Sequence, residues 1–208
     1  MYFEIPPERK ALKPYRVSKN EDICSSAVIK SICIFKVMGV TIHFEGQLIS
    51  EQDFDMLINK AKDFAQRNCM QHNLISDALK SLARVKNEKE WNYDGPTKGI
   101  AIQPDRNCDP LVLEFDTEHY IQEYCKTQFA GIEVHLKIIY FLKEIKSHFS
   151  TLIVIDEGEY WESEDELLLQ KHFNDYFIAA EKAVTENPKL SGPFRLQDGR
   201  LIDLMENN

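Results

Sequence analysis

Three short apolar segments follow one another between residues 99 and 126, and they restrict the possible folds more than any other feature. They cover residues 99–103, 111–115 and 120–126, and all are rich in β-branched or aromatic side chains. In the second segment every other residue is a large apolar one, as expected for a strand with one buried face. Strands that follow one another through short loops predict a mainly antiparallel sheet.

Apolar residues at helical spacing predict three helices around these strands. The three segments are residues 51–69, 132–149 and 164–186. Ser50 with Asp53, and Ser163 with Glu166, form capping-box patterns before the first and the third of them. Pro188 ends the third helix, because proline lacks the N–H that a helix interior needs. The residues that this helix is predicted to bury are Leu169, Phe173, Phe177, Ala180 and Val184.

Further strands and turns are predicted on both sides of this region. Residues 27–44 are too long for one strand, and they fit either two strands or one strand with a bulge. Residues 151–155 are almost continuously apolar, which favours a central position in the sheet. Residues 92–96 and the pair Asp198-Gly199 predict turns, the second of them within a hairpin.

The order of these elements predicts an α+β fold. We expect a mainly antiparallel sheet with about three helices packed largely on one face, because helices and strands do not alternate as they do in a doubly wound fold. A single domain is expected over residues 23–208. An irregular arm over residues 1–22, rich in Lys and Arg, is expected to precede it.

The N-terminal sequence and the cysteines predict a cytoplasmic protein. Residues 1–22 lack the apolar stretch of a signal peptide, and no segment approaches the roughly 18 apolar residues that a membrane span needs. The 5 cysteines form no CxxC pair, which argues against a disulfide framework and against a structural zinc site. We therefore expect reduced cysteines, no membrane contact and no metal.

The excess of negative charge is concentrated near the C-terminal end. The whole chain carries 34 acidic and 25 basic side chains, for a net charge of −9. From residue 151 onward there are 13 acidic and 5 basic side chains, so residues 1–150 contribute only −1. Because nucleic-acid binding generally requires a basic surface, we expect no nucleic-acid partner.

Residues 156–166 hold seven carboxylates, no basic residue and two adjacent aromatic residues. The last three carboxylates fall in the first turn of a predicted helix, where the helix dipole favours them, but the others need another explanation. Exposed aromatic anchors flanked by acids suit a surface that binds a basic protein. The predicted partner-binding residues are Asp156, Glu157, Glu159, Tyr160, Trp161, Glu162, Glu164 and Asp165, with the two aromatic residues as anchors. The alternative is a solvated loop whose Trp161 covers the core.

Sequence motifs of catalysis are absent from the chain. It contains no GxSxG, Walker or GxGxxG pattern, and its 6 histidines form no HxxxH or HExxH pair. We therefore expect a protein that is not an enzyme and carries no cofactor. The alternative is a small hydrolytic enzyme that uses Glu114, Asp116, His119 or His135 between sheet and helix. Glu114 and Asp116 are expected together on the polar side of one strand.

Three sequence segments resemble a group of small, uncharacterised bacterial proteins. They are YDGPTKG at residues 93–99, EYCKTQFAGIEVH at 123–135 and DEGEYWE at 156–162, and the resemblance extends over residues 38–205. Proteins of this kind are similar to the immunity partners encoded beside polymorphic or type VI effector toxins. The resemblance implies a cytoplasmic protein that neutralises one basic toxin domain by binding it, without chemistry. A scaffold protein that self-associates through a sheet edge is a further alternative.

Overall fold

All strand pairings between residues 39 and 206, the range that the computed structural model describes, are antiparallel. Together with four helices they form an α+β fold, which confirms the predicted class. The strands are β1 (Thr41–Leu48), β2 (Gln71–Leu82), β3 (Val85–Lys86), β4 (Lys89–Glu90), β5 (Tyr93–Gln103), β6 (Leu111–Phe115), β7 (Tyr120–Lys126), β8 (Phe149–Asp156), β9 (Leu190–Ser191), β10 (Phe194–Arg195), β11 (Leu201–Ile202) and β12 (Met205–Glu206). The helices are α1 (Glu51–Arg67), α2 (Ile132–Ile145), α3 (Tyr160–Ser163) and α4 (Glu166–Glu186), and a 3₁₀ turn at Lys146–His148 follows α2.

Two three-stranded sheets form the framework of the fold. The strand order is β7-β1-β8 in the first sheet and β2-β5-β6 in the second. The tight turn between β6 and β7 links the two sheets, and in it the Asp116 N–H donates to the Tyr120 carbonyl over 3.2 Å. The smaller pairs β3-β4, β10-β11 and β12-β9 lie outside these sheets. The predicted strands over 111–115 and 120–126 are confirmed with the same bounds.

Helix α1 begins where the capping pattern predicts it. The Ser50 hydroxyl oxygen accepts a hydrogen bond from the Asp53 N–H over 3.2 Å, which satisfies one of the free donors of the first turn. Its apolar face buries Leu57 and Phe64, and the Phe64 ring stacks on Phe141 of α2 with 4.3 Å between centroids. Burial of a side chain such as Leu57 contributes about 2 kcal/mol, so this face holds the helix on the core.

The turn predicted over residues 92–96 is wrong, because β5 runs through this segment while paired with β2. The register of that pairing shifts between Asp77 and Lys80, opposite Pro96. The missing N–H of the proline therefore falls where the hydrogen-bond ladder is already interrupted. The chain turns instead between β3 and β4, at Asn87 and Glu88, whose φ values of 52° and 62° are left-handed, as in type I′ turns.

The strand predicted over residues 151–155 exists, but its predicted central position is wrong. Within residues 39–206, β8 lies at one edge of its sheet and β1 is the central strand. On the outer face of β8, Ile153 and Ile155 are 54% and 63% exposed. Because every residue of this segment except the first is aliphatic, the alternation between an inner and an outer face cannot be seen in its sequence.

The third predicted helix starts two residues later than expected and buries a different face. Asp165, and not Ser163, is the N-cap of α4, and its carboxylate accepts hydrogen bonds from the N–H groups of Leu167 and Leu168. The predicted end before Pro188 is confirmed. Leu169 and Phe173 are buried as predicted, but Phe177 and Val184 are exposed while Tyr176 and Ala183 are buried.

Two further expectations are confirmed within residues 39–206. The hairpin around Asp198-Gly199 forms between β10 and β11, and Gly199 adopts a left-handed φ of 89°. The second predicted helix is present as α2, although Phe149 belongs to β8 and not to the helix. The arm predicted over residues 1–22, and the strand or strands predicted over residues 27–38, lie outside the described residues. No helix in the described part of the chain is long and apolar enough to cross a membrane.

Candidate functional site

Asp156, the first of the predicted partner-binding residues, is a buried structural residue. Its side chain is 1% exposed, and its carboxylate accepts hydrogen bonds from the N–H groups of Gly158, Tyr160 and Trp161 over 2.8, 2.9 and 3.0 Å. The ring of His135 supplies a further contact at 3.2 Å. Burial alone raises the pKa of Asp156, but the bonds and charge of His135 and the backbone donors together hold that pKa below its ordinary value. Its inclusion among the exposed residues was therefore wrong.

Tyr160 is also part of the interior. Its side chain is 4% exposed, and its hydroxyl lies 2.6 Å from the hydroxyl of Tyr140 on α2. That hydrogen bond, with a smaller effect of burial, raises the pKa of Tyr160 to about 12. The expectation that Tyr160 is an exposed anchor was wrong, because the short helix α3 directs its ring towards α2.

Trp161 is intermediate in solvent exposure between the buried Tyr160 and the exposed Glu162. It is partly buried and packs against the core, while the ammonium groups of Lys143 and Lys146 lie 5.7 and 5.6 Å from its ring centroid. At these distances both cations attract the face of the indole. The core contact agrees with the alternative in which Trp161 covers the core, and the part of the ring that remains accessible is still available to a partner.

The other predicted acids lie at or near the surface, and they differ in the contacts that their carboxylates make. Glu157 is partly buried, accepts a hydrogen bond from the Thr41 N–H over 3.0 Å and faces the His43 ring. Glu159 lies 3.4 Å from the ring of His172, and Glu164 forms an ion pair with Lys143. Asp165 caps α4. Glu162 is exposed, and within residues 39–206 it has no ion pair of 4.0 Å or shorter.

Leu167 belongs to the same surface, although the sequence reasoning missed it. It is 83% exposed, the highest value among the large apolar side chains of the described residues, and it follows directly on the exposed acids. A signal for it exists in the sequence. Leu167 lies on the opposite side of α4 from Leu169 and Tyr176, so its position relative to the buried face identifies it as exposed.

A second apolar surface lies on the outer face of the sheet β7-β1-β8. The strand register places Ile155, His43 and Tyr124 in one row across the three strands, and the His43 and Tyr124 rings are 6.0 Å apart. The next row is Ile153, Glu45 and Gln122. The hairpin of β3 and β4 contacts the Gln122 end, but Ile153, Ile155 and Tyr124 remain exposed.

The groups considered for catalysis are engaged in separate intramolecular contacts. Glu114 is buried, and its carboxylate accepts hydrogen bonds from the Lys80 ammonium at 2.6 Å and the Thr97 hydroxyl at 2.5 Å. Asp116 is buried as well and lies 2.5 Å from Arg84.

The two histidines are held in other parts of the fold. His119 contacts Glu51 at 2.7 Å and stacks on Phe54 of α1. His135 is fully buried, with its Nδ1 2.8 Å from the Thr127 hydroxyl and its Nε2 against Asp156. Thr127, His135 and Asp156 therefore have the composition of a catalytic triad, but all three are withdrawn from solvent.

A surface depression of about 370 Å³ is lined by Asp63, Gln66, Arg67 and Glu144. None of the groups considered for catalysis lines it. Within residues 39–206, no cluster of three or more His, Cys, Asp or Glu side chains is arranged to hold a metal ion. Comparison of the chain with protein-family models, with curated proteins and with solved structures finds no match.

Proposed function

We propose that this chain is a non-enzymatic binding protein that holds a basic protein partner on its acidic surface, as an immunity protein holds its cognate toxin. The observation that carries the proposal is the environment of Leu167. This side chain is almost fully in water, and the exposed carboxylates Glu162, Glu164 and Asp165 precede it within one short stretch of chain. An exposed apolar side chain surrounded by charge is typical of an interface anchor with a polar rim.

The uneven charge distribution supports a basic partner. The segment from residue 151 onward has a net charge of −8, and most of the carboxylates between Glu157 and Glu166 face solvent. Such a field accelerates association with a positively charged surface and suppresses encounters with acidic proteins. A toxin domain that acts on nucleic acid has a basic cleft, and surface carboxylates would occupy the positions of its substrate phosphates.

The contacts of the candidate catalytic groups support binding more than hydrolysis. Glu114 and Asp116 neutralise Lys80 and Arg84, and His135 is enclosed by Thr127 and Asp156. Glu114, Asp116 and His135 are all withdrawn from solvent, and a general acid or base must reach the proton that it transfers. The proposal includes a bacterial cytoplasmic location, where a toxin that enters the cell would be neutralised.

The proposal predicts that a gene beside this one encodes a toxin domain, and that domain is the test partner. Co-expression of the full chain should restore growth of cells that produce the toxin domain, and titration calorimetry should show tight binding. The double variant Glu162→Lys/Leu167→Ser should weaken binding by about a hundredfold or more, because it removes an anchor and reverses a nearby charge. Both side chains are exposed, so the fold should be unaffected.

The matched control is Glu181→Lys/Ile178→Ser on the same helix. It makes the same chemical changes at two exposed positions of α4 away from the acidic segment. Its affinity should remain within about threefold of the unmodified chain. An equal loss in both double variants would contradict a binding surface at the start of α4, and the absence of any binding would contradict the immunity proposal.

A further inference from the structure

The edge of the sheet β7-β1-β8 is the part of the molecule that most resembles an unfilled binding position. β8 pairs with β1 on one side, and no strand within residues 39–206 pairs with its other side. We infer that β8 is the position at which an extended, basic segment of the partner adds as a further strand. This inference deepens the proposed function and rests on it for the nature of the partner.

The backbone of β8 has hydrogen-bonding groups directed away from β1. The Glu157 N–H donates to the Thr41 carbonyl over 3.1 Å, which sets the alternation of the antiparallel ladder. Residues 151, 153 and 155 therefore direct their N–H and C=O groups towards β1, as their register partners require. Leu152 and Val154 direct theirs to the open edge, and an added strand would satisfy these groups.

The outer face beside this edge supplies apolar contact. Ile153 and Ile155 are exposed on that face, and alternate side chains of an added strand would lie beside them. Ile155 lies in one row with His43 of β1 and Tyr124 of β7, so the apolar surface extends beyond the edge strand. Natural edge strands are usually protected by charged residues or by proline, and residues 149–155 of β8 contain neither.

Charge determines which occupant fits this edge. β8 runs directly into Glu157, Glu159 and Glu162, whose carboxylates lie partly or fully in solvent. A strand with Lys or Arg near this end would pair with them, whereas an acidic strand would be repelled. A second copy of this chain is a poorer occupant, because each copy has a net charge of −9 and brings the same acidic segment to the interface.

The test uses a synthetic probe, a fluorescein-labelled peptide of alternating valine and lysine, with the full chain. Fluorescence anisotropy should show saturable binding, and a peptide of alternating valine and glutamate should not bind. Ile153→Lys and Ile155→Lys should each weaken binding at least about tenfold, because a lysine repels the basic peptide and removes apolar contact. The matched control Ile178→Lys alters an equally exposed isoleucine on α4 and should leave the affinity within about twofold.

Hydrogen exchange separates strand addition from simple contact with the sheet face. Saturation with the valine–lysine peptide should slow exchange of the Leu152 and Val154 amides, since these N–H groups point to the open edge. Protection at other positions only, equal binding of both peptides or equal losses in Ile155→Lys and Ile178→Lys would each overturn the inference. It would also be overturned if sedimentation showed a dimer that Ile155→Lys converts to monomer, because a second copy would then occupy the edge.

The peptide experiment and the toxin experiment fail independently. The peptide probe requires no toxin, so the absence of peptide binding leaves neutralisation through the surface around Leu167 intact. Glu162→Lys/Leu167→Ser should weaken peptide binding as well as toxin binding, because Glu162 is one of the acids that attract the basic strand, and unchanged peptide affinity in this variant would overturn the charge argument. Loss of toxin binding in Ile155→Lys would connect the two surfaces.

Discussion

The Nε2 atom of His135 lies 3.2 Å from the carboxylate of Asp156, and both side chains are withdrawn from solvent. Through this contact α2 is tied to the end of β8. The same carboxylate accepts the backbone N–H groups that begin α3, so one residue organises a helix contact, a loop and a helix start. The acidic segment therefore begins with a residue that stabilises the fold, and its exposed carboxylates come later in the chain.

Asp156→Asn should destabilise the protein by about 3–5 kcal/mol near neutral pH, because it removes the buried carboxylate that contacts the His135 ring and accepts three backbone N–H groups. Since folding lowers the pKa of Asp156 below 3.8, its contribution is complete above that pH and is lost as pH falls through the folded-state pKa. Urea unfolding of both proteins, measured from neutral pH downward, should show the difference shrinking below about pH 4. A difference that grows on acidification would contradict this role, and the exposed change Glu162→Gln is the control.

Arg84→Ala should lower the free energy of unfolding by about 3–5 kcal/mol. The guanidinium is buried 2.5 Å from the Asp116 carboxylate, and its Cζ lies 5.0 Å from the centroid of the Tyr120 ring and 5.4 Å from that of Tyr93. Removal of the guanidinium leaves the buried Asp116 carboxylate without its cation. Denaturant unfolding measures the loss, and Arg67→Ala, at a mostly exposed arginine, should change stability little. Equal effects at the two arginines would refute the prediction.

Gly99→Ala should weaken the pairing of β5 with β6 and lower the stability by about 3 kcal/mol. A Cβ at position 99 would lie 1.9 Å from the Leu113 carbonyl oxygen, which belongs to the backbone and cannot move aside. The melting temperature should fall, and the amides around Leu113 should exchange faster. The control Gly131→Ala has open space around the added methyl group, so only its backbone conformation of φ 87° and ψ 170°, which favours glycine, costs energy, about 1–3 kcal/mol. A smaller effect at Gly99 than at Gly131 would count against this account.

Alkylation should distinguish the cysteines by burial. Cys69 is exposed, whereas Cys108 and Cys125 are buried with their sulfur atoms 3.7 Å apart. Burial raises the pKa of Cys125 well above its ordinary value, so little reactive thiolate is present. Among the three cysteines within residues 39–206, iodoacetamide labelling followed by peptide mass spectrometry should modify Cys69 first. The other two should react after denaturant is added, and equal native rates at Cys69 and Cys125 would show that this interior is open to solvent.

Elements with a local signal could be predicted from the sequence. Ser50 identified the start of α1, and Pro188 the end of α4, because capping and termination depend on neighbouring residues. The failures at residues 92–96 and 151–155 have a different cause. Pro96 is accommodated in β5 by a bulge in β2, and β8 has a single neighbouring strand among the described residues, with Ile155 on its exposed face.

For the candidate surface too, one part could be predicted from the sequence and another part could not. The sequence alone located the acidic segment and the net charge of −8 from residue 151 onward, since charge is a property of composition. It could not assign individual side chains to the interior or the exterior. Tyr160 is removed from the surface by Tyr140, and Asp156 by His135, through contacts between residues 20 and 21 positions apart.

By itself the sequence determined an α+β class, the positions of most helices and strands, and an acidic C-terminal region. These properties follow from periodicity, capping and charge, which act over a few residues. Only the tertiary structure decided that β8 is an edge strand among residues 39–206, that Leu167 remains in water and that Glu114 and Asp116 are buried in ion pairs. The physical reason is that burial and hydrogen-bond satisfaction depend on partners brought together from distant parts of the chain.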